Sequence, residues 1–121
     1  MEARAERRAK KRLKIDLQAL FVRELGSSDI EPAEVRNLSD GGACVVADIA
    51  LPVGVELYVG FFVDGPESSP LITRARVAWA KSLKHAHAMG LSFVASGPAQ
   101  RHSVETLRDF IAARRRQAIA N

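Results

Sequence analysis

Two stretches in the middle of the chain alternate apolar side chains with others at a period of two, and this pattern constrains the fold more than any other feature of the sequence. Successive side chains of a β-strand point to opposite faces, so every second residue shares a face. Residues 55–63 place five apolar side chains on one face, namely Val55, Leu57, Val59, Phe61 and Val63. Residues 71–80 place Leu71, Thr73, Ala75, Val77 and Trp79 on one face and Arg74 and Arg76 on the other. The pattern predicts two strands, each with one buried face.

Shorter apolar runs extend this pattern along the chain. They cover residues 17–24, 33–38, 43–49 and 86–94, and clusters of Gly, Pro, Ser and Asp separate most of the runs. Many short alternating strands with turn signals between them are typical of antiparallel barrels and sandwiches. The residues alone therefore predict a mainly β domain with one of these two architectures.

The last part of the sequence changes to a helical period. Ser96 is suited to cap a helix, and Pro98 is tolerated in its first turn. Four apolar residues then recur at helical spacing, namely Val104, Leu107, Phe110 and Ile111. Such a stripe has to be buried against another element. We therefore predict a C-terminal helix that plugs or flanks the sheet.

Length and composition fit one folded domain. A chain of 121 residues buries enough surface for a single core without a disulfide. Its one cysteine, Cys44, lies in an apolar run, which predicts a buried thiol. No apolar run is long enough to cross a membrane, and no hydrophobic segment follows the charged N-terminus as it would in a secretory signal. These features predict a cytoplasmic protein.

The first fourteen residues form a distinct basic segment. They contain seven lysines and arginines and only two glutamates, and three further arginines stand at 114–116. The segment favours helix but has no apolar stripe to bury. We predict a mobile basic arm over residues 1–14, followed by the folded domain over residues 15–121. The net charge of +4 favours an anionic partner.

The sequence contains no recognisable catalytic or metal-binding constellation. No cluster of cysteines or carboxylates at metal-ligand spacing accompanies His85, His87 or His102. The candidate nucleophiles are Ser39 and Cys44, and neither has a recognisable base partner. A glycine-rich phosphate loop is also absent from the sequence. We predict that the protein is not an enzyme and that it uses no metal and no cofactor.

Residues 37–42 are turn-forming residues between two predicted strands. Asn, Ser, Asp and Gly all favour turns, so a plain loop is one interpretation. However, Asn37 and Ser39 alternate at a strand end, where both side chains can face the same side. Gly42 leaves room for something to approach the backbone closely. A small polar binding surface is therefore the other interpretation.

The basic arm contains the spacing R-x-x-x-R at Arg8 and Arg12, with Arg7 directly before it. Arginine pairs with phosphate oxygens, bonds the O6/N7 edge of guanine and stacks on base faces. Asn37 and Ser39 would supply the neutral donors and acceptors that arginine lacks. These groups together suit a ligand that carries both purines and phosphates.

The order R-x-x-x-R, then N-x-S-x-x-G, resembles the PilZ domain family, from Arg7 to about Ile111. Residues 90–93 also resemble the last strand of that family, and Asn37 stands where many members carry aspartate. The resemblance implies a six-stranded antiparallel β-barrel with a C-terminal α-helix and a cytoplasmic effector that binds the bacterial second messenger cyclic di-GMP. The matched ligand-binding positions are Arg8, Arg12, Asn37, Ser39 and Gly42.

The leading hypothesis is a cyclic di-GMP receptor whose arm becomes ordered on binding and presents a new surface to an unknown downstream protein. Relatives often use an arginine at the position of Arg7 to hold a second ligand molecule, which implies two cyclic di-GMP molecules per chain. The alternative is a PilZ-fold adaptor that binds proteins and does not use the nucleotide. A nucleic-acid binder ranks last, because the basic runs are typical of solvated faces and the few aromatic residues are predicted to be buried.

Overall fold

The computed structural model of the protein describes residues 13–39, 41–94 and 97–120, which form six β-strands and one α-helix. Each strand corresponds to one of the six predicted apolar runs, and the helix carries the predicted stripe. The bounds are β1 (Leu13–Val22), β2 (Glu31–Ser39), β3 (Gly42–Ala47), β4 (Glu56–Phe61), β5 (Leu71–Ser82), β6 (His87–Phe93) and α1 (Pro98–Ala120).

The six strands close into an antiparallel barrel in the order β1-β2-β3-β6-β5-β4. The barrel closes because β4 pairs with β1 from Ala19 opposite Phe61 to Val22 opposite Tyr58. Each strand has one apolar face, and a closed sheet turns all of these faces inward without leaving an unpaired edge. The predicted barrel is therefore confirmed, and a sandwich is excluded.

The core fills the barrel and extends to the helix. Its largest fully buried side chains include those of Phe21, Phe61, Leu57 and Met89. From α1, the side chains of Val104, Leu107 and Ile111 are buried, and Phe110 packs partly buried against the core.

The helix contacts β2 and β5, which lie on opposite sides of the barrel, so it extends across one barrel opening. The predicted capping residue, Ser96, lies outside the described residues. In the described part of the chain, no helix combines the length and the apolar character that a membrane span requires.

The first strand begins earlier than its apolar pattern predicts. β1 starts at Leu13 rather than at residue 17, so it includes Leu13 and Lys14, the last two residues of the predicted arm. Their Cα atoms pair with those of Leu38 and Asn37 on β2. Backbone pairing with a long neighbour extends this strand, and an apolar pattern does not report such pairing.

A β-bulge in β2 decides which way the end of that strand faces. Val35 pairs with Val45 on β3, and Asn37 pairs with Cys44, so Arg36 is an extra residue on β2. An extra residue reverses the alternation of faces beyond it. The side chain of Leu38 therefore points into the core, where it is fully buried. Asn37 and Ser39, on either side of it, belong to the outer face.

A second bulge, in β5, corrects the predicted placement of Trp79. Val77 pairs with Leu91 on β6, and Trp79 pairs with Gly90, so Ala78 is an extra residue on β5. The alternation of Leu71 to Val77 would continue inward at Trp79. The bulge turns this side chain outward instead, and it is 40% exposed.

Candidate functional site

The two bulges bring polar and aromatic residues together on the outside of β2, β3, β6 and β5. Strand pairing aligns them in two rows that cross the four strands. The first row consists of Asn37, Cys44, Gly90 and Trp79, and the second consists of Ser39, Gly42, Ser92 and Arg76. We call these eight residues the outer face. An inward-facing row, Leu38, Ala43, Leu91 and Val77, runs between them.

Asn37 occupies one end of the first row. Its side chain is half-buried, and its Cα pairs with that of Lys14 at the start of β1. Its row neighbour Cys44 is buried, as predicted for a small side chain in an apolar run. The amide of Asn37 carries both donors and an acceptor.

The side chain of Ser39 stabilises the β2–β3 turn through two hydrogen bonds. Its hydroxyl donates a hydrogen bond to the carbonyl of Gly42 (3.3 Å) and accepts one from the N–H of Gly41 (3.3 Å). The carbonyl of Gly41 accepts in turn from the N–H of Phe93 on β6 (2.9 Å). A serine hydroxyl has one proton and two lone pairs, and two of these three positions serve the turn, where Ser39 is almost fully buried. Ser39 thus has a structural role in the turn as well as a place on the outer face.

Gly42 has a structural reason of its own to lack a side chain. A Cβ at this position would overlap the carbonyl oxygen of Leu91 on the neighbouring strand β6. Gly42 is buried, and its backbone is not in the left-handed conformation. Gly42 thus first of all permits the backbone of β6 to approach β3 closely. A larger residue at position 42 would therefore disturb the packing of the barrel itself, whatever its effect on ligand binding.

Trp79 is the residue of the outer face that the sequence pattern missed. Its indole lies over Gly90, in the space that a Cβ on residue 90 would fill. The exposed ring therefore forms an aromatic surface at the end of the first row, opposite Asn37. The glycine at position 90 is the only sequence signal for this placement, because a bare backbone next to a large side chain suits close packing.

Charged groups border the second row on its β5 side. Arg76 Nη2 donates to Glu56 Oε2 on β4 (2.7 Å), and Arg74 Nη2 donates to Glu56 Oε1 (2.5 Å). These hydrogen bonds, from Arg76 first and from Arg74 second, lower the pKa of the Glu56 carboxyl below its ordinary value. Glu56 is therefore ionised at neutral pH, and it holds two guanidinium groups at the edge of the outer face.

The predicted arm residues Arg7, Arg8 and Arg12 lie outside the described residues. Their covalent connection limits their distance from the outer face. Arg12 directly precedes Leu13, whose Cα pairs with that of Leu38 between the two rows. Arg8 is five residues from Leu13, at most about 18 Å along an extended chain.

No metal-binding group is found among the residues that the structure describes. Within residues 13–39, 41–94 and 97–120, no three His, Cys, Asp or Glu side chains form a group that could hold a metal ion. His85 is exposed and His87 is half-buried. A cavity of about 560 Å³ lies at the other end of the barrel, between the β1–β2 and β3–β4 loops, and its lining includes Phe21, Glu24, Asp29 and Ile49. It is remote from the β2–β3 turn and so does not belong to the outer face.

Comparison with known families gives a match over most of the chain. The family described as PilZ domain matches residues 6–113. This match includes both the arm arginines and the outer face. None of the curated proteins matches the sequence.

Solved structures share the fold at low sequence identity. The inhibitor of motility MotI/DgrA of Bacillus subtilis has a TM-score of 0.69 and 17% identity over 92% of this chain. The chain spans only 52% of that protein. The PilZ domain of CeSA from a cellulose-synthesizing bacterium has a TM-score of 0.64 and 20% identity, with 84% of this chain and 98% of that domain covered. The PilZ domain of YcgR from Escherichia coli, solved with c-di-GMP, has a TM-score of 0.64 and 12% identity, with 95% of this chain and 98% of that domain covered.

Proposed function

The chain belongs to the PilZ domain family, and on this basis we propose that it is a non-catalytic receptor for cyclic di-GMP, acting as a cytoplasmic effector in second-messenger signalling. The family match and the similarity to a PilZ domain solved with c-di-GMP support the class of ligand. The geometry of this chain supports the location. The proposed site combines the arm arginines with the outer face.

One observation carries the proposal. The bulge at Arg36 turns Asn37 and Ser39 outward together, and the strand that pairs with them is the one that continues into the arm. The two halves of the motif are about 25 residues apart in sequence, yet Arg12 is one residue from a position that pairs with Leu38. A ligand on the outer face is therefore within reach of the R-x-x-x-R segment.

The chemistry of the outer face complements that of the arm. The guanidinium groups of Arg8 and Arg12 suit the phosphates and the guanine O6/N7 edges. The Asn37 amide can accept from and donate to a base edge, and the exposed ring of Trp79 offers a plane on which a guanine can stack. The ligand would bridge these groups and so clamp the arm against the barrel.

Ordering of the arm is the proposed signal. Fixing each residue of a flexible segment costs about 1–2 kcal/mol in conformational entropy. An arm without an apolar stripe has no apolar surface whose burial would offset this cost in the absence of ligand. Charge-assisted contacts of about 1.5–3 kcal/mol each would offset that cost once the ligand binds. The ordered arm would then present a new surface to a downstream protein. A pull-down with and without cyclic di-GMP would show whether any partner depends on the ligand.

The test is a calorimetric titration with cyclic di-GMP, GTP and a short DNA duplex. We expect saturable binding of cyclic di-GMP and none of the other two. Trp79 is the only tryptophan, so quenching of its fluorescence during the titration reports contact at the outer face. Binding of the DNA duplex alone would support a nucleic-acid protein, and no binding of any of the three would support the protein-interaction adaptor.

A further inference from the structure

We propose that Arg76 is a further ligand-binding residue of the outer face, and that Glu56 holds its guanidinium away from the site until the ligand takes it over. This inference rests on the proposed function, because it assigns a role at the same site. It adds a charged residue of β5 to a site that otherwise consists of the arm arginines, the β2–β3 segment and Trp79.

The position of Arg76 places it within reach of the ligand. Its Cα pairs with that of Ser92, which pairs with that of Gly42, which pairs with that of Ser39. Neighbouring strands are about 4.8 Å apart, so Arg76 is about 10 Å from Gly42 across the outer face. A ligand that contacts Ser39 and also stacks on Trp79 would cross the two strands between them, β3 and β6. It would thus meet the long side chain of Arg76.

In the protein without ligand, Arg76 hydrogen-bonds Glu56 on the side of β5 away from Gly42. Glu56 lies on β4, on the opposite side of β5 from Ser92, and its Oε2 accepts from Arg76 Nη2 at 2.7 Å. The guanidinium is therefore held on the side remote from Gly42. The Arg76 side chain is 55% exposed, so no packing prevents it from turning toward the ligand.

Glu56 can release Arg76 at low cost because it has a second partner. Its Oε1 accepts from Arg74 Nη2 at 2.5 Å, so the carboxylate stays paired when Arg76 leaves. An exposed ion pair contributes little free energy, whereas a bidentate contact between arginine and phosphate is among the strong hydrogen bonds. The exchange from Glu56 to a phosphate of the ligand is accordingly favourable.

The experiment is a double-mutant cycle on binding of cyclic di-GMP, measured by calorimetry. Arg76→Ala should raise Kd about tenfold, as expected for the loss of one charge-assisted hydrogen bond. Glu56→Gln should lower Kd about threefold, because Arg76 is no longer held by a carboxylate. In the Arg76→Ala background, Glu56→Gln should leave Kd unchanged.

Arg74→Ala is the matched control. Arg74 lies on the same strand and the same outer side as Arg76, and it bonds the same carboxylate. It is two residues farther from the row that contains Ser92 and Gly42. We expect Arg74→Ala to raise Kd by about threefold at most, less than Arg76→Ala does, because it removes only the second partner that lets Glu56 release Arg76. Thermal melts should show that all variants are folded.

Several outcomes would overturn the inference. If the wild-type protein binds cyclic di-GMP and Arg76→Ala binds it with the same Kd, the inference is refuted and the proposed function stands. A decrease in Kd from Glu56→Gln that persists in the Arg76→Ala background would show that Glu56 only repels the anionic ligand. A wild-type protein that does not bind cyclic di-GMP would refute both proposals.

Discussion

The indole of Trp79 occupies the space that a side chain on Gly90 would need, and the two residues pair across β5 and β6. This contact makes the ring part of the barrel surface although the side chain is 40% exposed. A tryptophan held in this way is a fixed aromatic plane, and its position at the end of the row that begins with Asn37 depends on the absence of a Cβ at residue 90.

Gly90→Ala should therefore displace the ring. Filling a packed contact typically costs about 1–3 kcal/mol of unfolding free energy, and the displaced indole should emit at a longer wavelength because it is more exposed to water. Denaturant unfolding and the emission spectrum measure the two effects. In a Trp79→Ala background the same substitution should cost less. Unchanged stability and emission would show that the ring adapts without loss.

The strand pattern predicted strands with one buried face, because five or more alternating residues leave little choice of that face, whereas the choice of a barrel over a sandwich came from the resemblance to the PilZ family. The pattern failed at Trp79 because a bulge arises from pairing between strands. The β3–β4 loop also hydrogen-bonds β5 next to the bulge. Gly54 N–H donates to the carbonyl of Val77, and Val77 N–H donates to the carbonyl of Val55. These hydrogen bonds occupy β5 just before Ala78, and nothing in the sequence of residues 71–80 reports them.

The polar part of the outer face was more predictable than its aromatic part. Asn37 and Ser39 are two apart, so any regular strand end places them on the same side. Which side they face depends on the extra residue Arg36, since strict alternation from Val35 would turn both inward. The roles of Ser39 in the turn and of Gly42 against Leu91 were not evident from the sequence, because both depend on tertiary neighbours.

The arm arginines should dominate ligand affinity. Arg8→Ala or Arg12→Ala should each weaken cyclic di-GMP binding by at least about tenfold, since one charged hydrogen bond is worth about 1.5–3 kcal/mol and each guanidinium can make several. Calorimetry gives the Kd values. Arg23→Ala, which removes an exposed arginine next to the cavity at the other barrel end, is the matched control and should bind like wild type. Wild-type affinity in both arm variants would disprove the arm assignment.

Asn37→Ala and Ser39→Ala should weaken binding less than the arm substitutions. A neutral hydrogen bond contributes about 0.5–1.5 kcal/mol, which corresponds to an increase in Kd of about two- to tenfold. Ser39→Ala should also lower the melting temperature, because Ser39 bonds Gly41 and Gly42 within the turn. Titrations and melts of both variants separate these effects. A larger loss of affinity in Asn37→Ala than in Arg12→Ala would reverse the proposed ranking.

The pairing of Glu56 should make stability depend on pH in a defined direction. Its folded pKa lies below the ordinary value of 4.5, so its ion pairs stabilise the fold fully above that pH. Their contribution is lost as the pH falls from 4.5 through the folded pKa. The melting temperature of wild type should thus exceed that of Glu56→Gln at pH 7, and the difference should shrink below pH 4.5. With both Arg74 and Arg76 replaced by alanine, no such difference should exist at any pH.

We expect the number of bound ligands to depend on Arg7. Cyclic di-GMP can associate with itself into an intercalated pair, which doubles the negative charge that the protein must neutralise. A site for the pair needs a further cation and a further stacking plane. Arg7 can supply both, because a guanidinium is charged and stacks on bases. We therefore predict two cyclic di-GMP molecules per chain.

Arg7→Leu should reduce this stoichiometry to one while the barrel stays folded. Calorimetry at ligand concentrations well above that of the protein gives the number directly, and a thermal melt checks the fold. Lys10→Leu, in the same basic segment, is a suitable control that should keep two ligands per chain, since lysine offers no plane on which a base can stack. A wild-type value of one ligand per chain would refute the paired-ligand prediction and leave the proposed receptor function unaffected.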